Sequence, residues 1–176
     1  MAWSARVTPW TRLDNFARSL APGVITLLLI LLSVMPTKIP GWSHIAPPLM
    51  LMSVYYWAIY RPDLLPAAAV FVLGLLEDVL TGAPIGVHAF TMLTAYGLVV
   101  SQRRFFHGKS FGVVWWGFML VAAGVMTLEW LLMSALRGGP IDPQPALFAL
   151  MLTAVVYPAA AALFIATHRV LPAPEH

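Results

Sequence analysis

The chain of 176 residues contains no cysteine, and only 10% of its residues are charged. The absence of cysteine excludes disulfide bonds, thiolate catalysis, and zinc or iron–sulfur sites with cysteine ligands. A soluble domain usually has roughly 25% charged residues, so the low charge, together with 60% hydrophobic residues, indicates a membrane protein. Lys and Arg at the cytoplasmic ends of membrane helices explain the net charge of +3, and we expect no nucleic-acid partner.

Enzyme signatures are also absent, because the chain has no H-E-x-x-H, no G-x-S-x-G, no P-loop and no G-x-G-x-x-G. His88, Ser53 and Ser101 are of residue types that an intramembrane hydrolase uses, but no nucleophile, base and orienting group can be assigned among them. Single Ser or His residues in membrane helices usually bond to backbone carbonyls or to neighbouring helices. We therefore expect a protein that is not an enzyme and that binds no cofactor and no metal.

Apolar runs of about the length of a membrane helix occur six times. A helix that crosses the roughly 30 Å hydrocarbon layer needs about 20 apolar residues, or fewer where the bilayer is thin. The gaps between the runs contain Pro and Gly, which end helices. The sequence thus predicts an all-α membrane protein with six spans, and five spans are the alternative. The predicted spans are 20–36, 46–60, 64–80, 87–101, 112–136 and 146–170.

Basic residues lie mainly in the segments that a cytoplasmic N-terminus would place on the inner side. Only Lys38 and Arg137 would lie outside, so the positive-inside rule predicts that both termini are cytoplasmic. The predicted organisation is a short basic N-terminus at 1–19, one six-helix membrane domain at 20–170 and a short tail at 171–176. The inner basic residues are Arg6, Arg12, Arg18, Arg61, Arg103, Arg104, Lys109 and Arg169.

Aromatic residues cluster at the end of the second predicted span. Tyr55, Tyr56, Trp57 and Tyr60 fall where this span would meet the cytoplasmic face. Amphipathic rings are enriched at membrane–water interfaces. We interpret the cluster as an interfacial belt without a specific ligand.

The turn between the second and third predicted spans is short. Its sequence is Arg61-Pro62-Asp63, and Pro66 follows in the first turn of the next span, where no hydrogen bond is lost. We expect the carboxylate of Asp63 to cap the third span by accepting a hydrogen bond from the backbone N–H of Leu65.

Three acidic residues lie inside predicted spans, where insertion of a charge costs about 2.5 to 3.5 kcal/mol at the bilayer centre. At 1.5 Å per residue, Asp78 lies roughly 21 Å along the third span, beside Glu77, and Glu129 lies about 26 Å along the fifth. All three are therefore predicted near the outer face. Adjacent helical residues point about 100° apart, so Glu77 and Asp78 cannot both face one neighbouring helix.

A buried carboxylate needs a partner to offset its lost hydration. The candidates at this depth are His88 at the start of the fourth span, Lys38 and His44 in the first outer loop, and Arg137 after the fifth span. The alternative is that the acids are hydrated near the interface and only fix helix ends.

Residues 55–90 resemble a known family. An aromatic helix end, Tyr56-Trp57, is followed by an Arg-Pro turn, by Pro66 and Phe71, and then by a Gly-Leu-Leu-x-Asp helix that closes on a Gly-rich turn. In order and spacing this pattern resembles MreD, the bacterial rod shape-determining membrane protein, and Ile85 is a conservative departure from it. The motif residues are Trp57, Arg61, Pro62, Gly74, Asp78, Gly82 and Gly86.

The resemblance implies a non-enzymatic subunit of the cell-elongation complex in the bacterial inner membrane, which maintains rod shape by supporting side-wall peptidoglycan synthesis. It implies a direct partner, MreC, a single-span periplasmic scaffold. Through MreC the complex would include MreB, RodA and a class B penicillin-binding transpeptidase.

The family also resembles the six-helix substrate-binding subunits of energy-coupling-factor transporters, which implies a pocket near the outer face. Asp78 is expected to face inward on these grounds, with Glu77, His88 and Glu129 beside it. The alternative function is a substrate-capture subunit of such a transporter, which predicts a bound small molecule and a partner with ATPase subunits. An intramembrane hydrolase is the third reading and predicts that one Ser or His is essential.

Overall fold

The computed structural model describes residues 9–35 and 46–168, with side chains for residues 20–35 and 46–167. These residues form an all-helical fold, which confirms the all-α part of the prediction. The six helices of the described ranges are α1 (Pro9–Val34), α2 (Leu49–Tyr60), α3 (Ala67–Thr81), α4 (Val87–Phe106), α5 (Phe111–Arg137) and α6 (Gln144–His168).

Most helix ends lie within three residues of the predicted span ends, but two helices are longer. Helix α1 begins at Pro9 rather than at residue 20, and α4 continues to Phe106 rather than to residue 101. A span predicted from apolar residues stops where polar residues begin, whereas a helix can continue through Arg103 and Arg104 into the interface. Pro9 suits a first helical position, because its missing N–H has no partner there.

Helix α2 is the central helix of the bundle, in contact with α1, α4, α5 and α6. Every residue from Met50 to Ile59 is buried. The interpretation of its aromatic residues as an interfacial belt is therefore wrong for Tyr55, Tyr56 and Trp57, which belong to the core. The physical reason is that four neighbouring helices surround α2, so these rings pack against protein and not against lipid headgroups.

The remaining helices pack around α2 in a defined order. Helix α3 packs against α1 and α4, α4 packs against α2 and α5, and α5 packs against α6. Helix α2 has 12 residues and α3 has 15, which correspond to about 18 and 23 Å. Both are shorter than the hydrocarbon layer, and α2, which is buried from Met50 to Ile59, does not have to match the lipid thickness, because its surroundings are protein.

The outward faces of the peripheral helices are apolar. Val24 and Leu28 on α1 are 51% and 58% exposed, Leu120 on α5 is 74% exposed and Val155 on α6 is 75% exposed. Soluble monomers rarely expose apolar surface of this extent.

Two helices are long and apolar enough to cross a membrane, Phe111–Arg137 and Gln144–Thr167. Two shorter apolar segments are Leu20–Val34 and Leu49–Tyr60. Together with the apolar exterior, these segments indicate a membrane protein.

Polar groups inside the bundle are paired across helices. The hydroxyls of Thr26 on α1 and Ser53 on α2 lie 2.7 Å apart. The hydroxyl of Tyr55 donates to the carbonyl of Val114 on α5 at 2.9 Å, and the ring of Tyr55 packs edge-on against Phe118. These bonds satisfy polar groups that have no access to water, and so they fix α2 against its neighbours.

Candidate functional site at the α3–α4 turn

The turn between α3 and α4 depends on two glycines with a left-handed backbone. Gly82 ends α3 with φ of 69°, and Gly86 precedes the first residue of α4 with φ of 100°. The backbone N–H groups of Gly82 and Ala83 both donate to the carbonyl of Asp78. A side chain at a left-handed position costs about 1 to 2 kcal/mol, so these glycines allow α3 to reverse into α4 within a few residues.

Asp78 is the central acceptor of this turn and is fully buried. Its Oδ2 accepts from the backbone N–H of Gly86 at 2.8 Å, and its Oδ1 accepts from the backbone N–H of His88 at 2.9 Å. The first N–H groups of a helix have no partner within the helix and attract negative charge. A carboxylate of α3 thus caps the N-terminus of α4.

His88 connects this carboxylate to a third helix. Its ring Nδ1 lies 2.8 Å from Oδ1 of Asp78, and its Nε2 lies 3.2 Å from Oε1 of Glu129 on α5. The side chain of His88 is 13% exposed and that of Glu129 is 30% exposed. The ring is held at both nitrogens, so the chain of contacts ties α3, α4 and α5 together at one end of the bundle.

Glu77 is buried beside this group, with 6% of its surface exposed. Within the described residues its Oε2 has no hydrogen-bond partner, and its carboxyl interacts electrostatically with His88 and Glu129. Both adjacent acids are therefore buried, and Asp78 holds the direct contacts to α4. Three acidic side chains and one imidazole make up the corner, which gives it an acidic character.

Gly74 lies one helical turn before Asp78, where α3 and α4 are in closest contact. A Cβ at this position would lie 2.5 Å from Cα and 2.8 Å from the backbone N of Ala89. The two backbones meet without intervening side chains, as is common where small residues join membrane helices. This close approach brings the carboxylate of Asp78 within reach of the N-terminus of α4.

The remaining motif residues lie at the opposite end of the bundle. The guanidinium of Arg61 donates to the carboxylate of Asp63, with a shortest distance of 3.1 Å. The carbonyl of Pro62 accepts from the hydroxyl of Tyr96 on α4 at 3.3 Å, and Trp57 is fully buried. These residues join the α2–α3 turn to the core and do not meet the acidic corner.

The expectation that Asp63 caps α3 is wrong. Helix α3 begins at Ala67, its cap position is Pro66, and no side chain bonds to the cap. Asp63 is too far from this first turn, and the Arg61 guanidinium, two residues away, binds its carboxylate instead.

Other candidate partners of the acids do not reach them in the described residues. Lys38 and His44 lie outside the residues that the structure describes. Arg137 is in the last turn of α5, and no ion pair joins it to a carboxylate of the described chain. Of the candidate partners, His88 is therefore the one that contacts the acids within the described residues.

Two contributions to the site were not foreseen from the sequence, namely the backbone N–H groups of Gly86 and His88. The sequence signal for these donors is a glycine at a helix start, eight residues after Asp78. Trp130 adds a further contact near this end, because its indole N–H donates to the carbonyl of Ile141 at 2.9 Å.

A family model described as rod shape-determining protein MreD matches residues 17–165. The chain belongs to the MreD family. The match includes both turns of the motif and extends over all six helices. No curated protein and no solved structure matches the chain. Membership in the MreD family gives the chain a role in the determination of rod shape, and the apolar helices and exterior agree with a membrane location.

Proposed function

We propose that the chain is a multi-pass, non-enzymatic subunit of the cell-elongation complex in the bacterial cytoplasmic membrane, and that it supports MreC and side-wall peptidoglycan synthesis. Membership in the MreD family supports the role in rod shape. The finer proposal rests on the contact chain from Asp78 through His88 to Glu129, which orders the ends of three helices at one face.

The proposed topology has six spans with both termini in the cytoplasm. The two ends of the bundle differ in charge. Arg61, Arg103, Arg104 and Lys109 lie at the ends of helices opposite to the acidic corner. By the positive-inside rule the basic end faces the cytoplasm, which directs the turn with Asp78 to the periplasm.

The acidic corner is bordered by exposed apolar residues. Ile85 at the tip of the turn is 79% exposed, and Val79 on α3 is 65% exposed. Glu129 of the corner is also partly accessible. A partner segment that offers apolar and basic side chains would match this surface, because the aliphatic contacts supply affinity and the charges supply orientation.

MreC is the partner that this proposal assigns to the surface. A single-span protein with a periplasmic portion can contact a periplasmic turn and the adjacent helices at the same time. MreB, RodA and the class B penicillin-binding transpeptidase would then join the complex through MreC. The lipid bilayer surrounds the remaining helices.

Co-purification with tagged MreC tests this contact. Asp78→Ala and Ile85→Ser should each reduce recovery of MreC by about tenfold, which corresponds to about 1.4 kcal/mol of binding free energy. Ile85 is exposed, so its replacement leaves the fold intact and separates the interface from stability. Asp142→Asn is the matched control, because Asp142 is an exposed acid in the α5–α6 loop, at the same end of the bundle, and Asn keeps the side-chain oxygen that accepts from the backbone N–H of Gln144.

Equal recovery of MreC with all three variants, at equal amounts of inserted protein, would contradict the assigned contact.

Depletion of the protein in a rod-shaped host distinguishes the role in cell shape from the substrate-capture alternative. Rounding of the cells is the expected result. Normal shape with a defect in nutrient uptake, and a small molecule that stays bound during purification, would favour the substrate-capture alternative.

A further inference from the structure

A basic cavity lies at the end of the bundle opposite to the acidic corner. Its volume is about 390 Å³, and it opens between the C-terminal ends of α2 and α4. Helix α2 contributes Ile59 and Tyr60, and α4 with its cap contributes Arg103, Arg104 and His107. Three of the five lining side chains are thus basic or imidazole groups.

The positive charge of this cavity is not neutralised within the described chain. No carboxylate of the described residues lies within 4.0 Å of the guanidinium of Arg103 or Arg104. Asp63, the acid of the nearby α2–α3 turn, binds Arg61 instead. Two guanidinium groups that share one cavity without an acidic partner provide an array of donors suited to a phosphate group.

The surroundings of the cavity match the headgroup region of a membrane. Ile59, which lines the cavity, is fully buried, and Phe105, next to Arg104 in the chain, is 59% exposed. The Lys109 ammonium lies 5.7 Å from the centre of the Phe105 ring. Aromatic and basic residues occur together at membrane–water interfaces, where an occupant can place a charged group in the cavity and an apolar tail outside it.

We propose that this cavity binds the phosphate group of an anionic phospholipid. Basic pockets between membrane helices on the cytoplasmic side bind acidic lipid headgroups. Arg103 and Arg104 hold the phosphate, the Tyr60 and His107 rings, whose centres are 6.2 Å apart, form the wall, and the acyl chains lie along the apolar outer surface. The proposal does not depend on MreC, because the cavity and the acidic corner are at opposite ends.

Lipid binding to the purified full-length protein in a neutral detergent tests this site. Native mass spectrometry would count bound phosphatidylglycerol and phosphatidylcholine with the same acyl chains. The expected result is preferential binding of phosphatidylglycerol, which Arg103→Gln and Arg104→Gln each weaken by about fivefold. Arg137→Gln is the matched control, because Arg137 also lies in the last turn of a helix and its loss removes one charge.

Three results would overturn the proposal. The first is equal binding of the two lipids by the unmodified protein. The second is an equal loss of phosphatidylglycerol from Arg137→Gln, because this would make the effect one of net charge. The third is displacement of the lipid by an equal concentration of inorganic phosphate, because the site would then bind a soluble anion. None of these results bears on the recovery of MreC.

Discussion

The carboxylate of Asp78 lies 2.9 Å from the backbone nitrogen of His88 and 2.8 Å from the ring nitrogen of the same residue. One acid on α3 therefore fixes both the start of α4 and the orientation of a side chain on it. Because the other ring nitrogen faces Glu129 on α5, the geometry of three helix ends depends on a single buried carboxylate.

Asp78→Asn should destabilise the protein although it preserves the shape of the side chain. The amide has one acceptor oxygen, and its NH₂ group would face a backbone donor, either the N–H of Gly86 or that of His88. The loss of such a buried bond costs about 2 kcal/mol. Titration with SDS in mixed micelles measures the free energy of unfolding, and Asp142→Asn serves as the control. An unchanged unfolding midpoint for Asp78→Asn would contradict the capping role.

Gly74→Ala should separate α3 from α4. The added methyl group would meet the backbone of Ala89 at 2.5 Å, and overpacking of this kind costs about 1 to 3 kcal/mol. Gly97→Ala on α4 is the control, because nothing lies within 4 Å of a Cβ there, and Ala is the better helix former by about 1 kcal/mol. Equal effects of the two substitutions in the same unfolding assay would show that the close approach is not required.

Gly86→Ala tests the left-handed residue at the start of α4. With φ of 100°, an alanine is strained by about 1 to 2 kcal/mol, and relief of the strain would move the N–H group away from Asp78. Gly139 has open space for a Cβ and no positive φ, so Gly139→Ala should leave the unfolding midpoint unchanged. A Gly86→Ala variant as stable as the unmodified protein would be incompatible with this turn.

The hydroxyl pair of Thr26 and Ser53 should couple α1 to α2. A double-mutant cycle with Thr26→Val and Ser53→Ala is expected to give an interaction energy of about 0.6 kcal/mol, the typical size for a hydrogen bond between membrane helices. Thr127, whose hydroxyl donates to the Ala123 carbonyl of its own helix, provides the control cycle with Ser53. An interaction energy no larger than in this control would show that the two hydroxyls do not couple α1 to α2.

The fold could be predicted from the sequence to a considerable extent, since long apolar runs separated by Gly and Pro are typical of helical membrane proteins. The helix start at Pro9 and the helix end at Phe106 were not predicted, because both helices continue through polar residues beyond the apolar run. The burial of α2 could not be inferred from the absence of a polar face in residues 50–59, because such a helix can face lipid as well as protein. The aromatic composition of its last turns pointed to the interface instead.

The acidic corner could be predicted only in part. His88 was among the candidate partners because of its position at a helix start. The backbone donors of the corner carry no sequence signal beyond the glycine at residue 86. The burial of Glu77 beside Asp78 depends on how the neighbouring helices α1 and α4 pack against α3, which a single helix does not reveal. Asp63 was misassigned because the start of α3 was predicted three residues too early.

The most direct measurement of the central claim is the shape of rod-shaped cells that depend on variants of this protein. With the host's own MreD-family protein depleted, and with equal amounts of each variant in the membrane, Asp142→Asn should maintain rods. Asp78→Ala and Ile85→Ser should give rounded cells. Rods of normal length and width with both of these variants would contradict the account, because the α3–α4 turn would then have no part in the determination of shape.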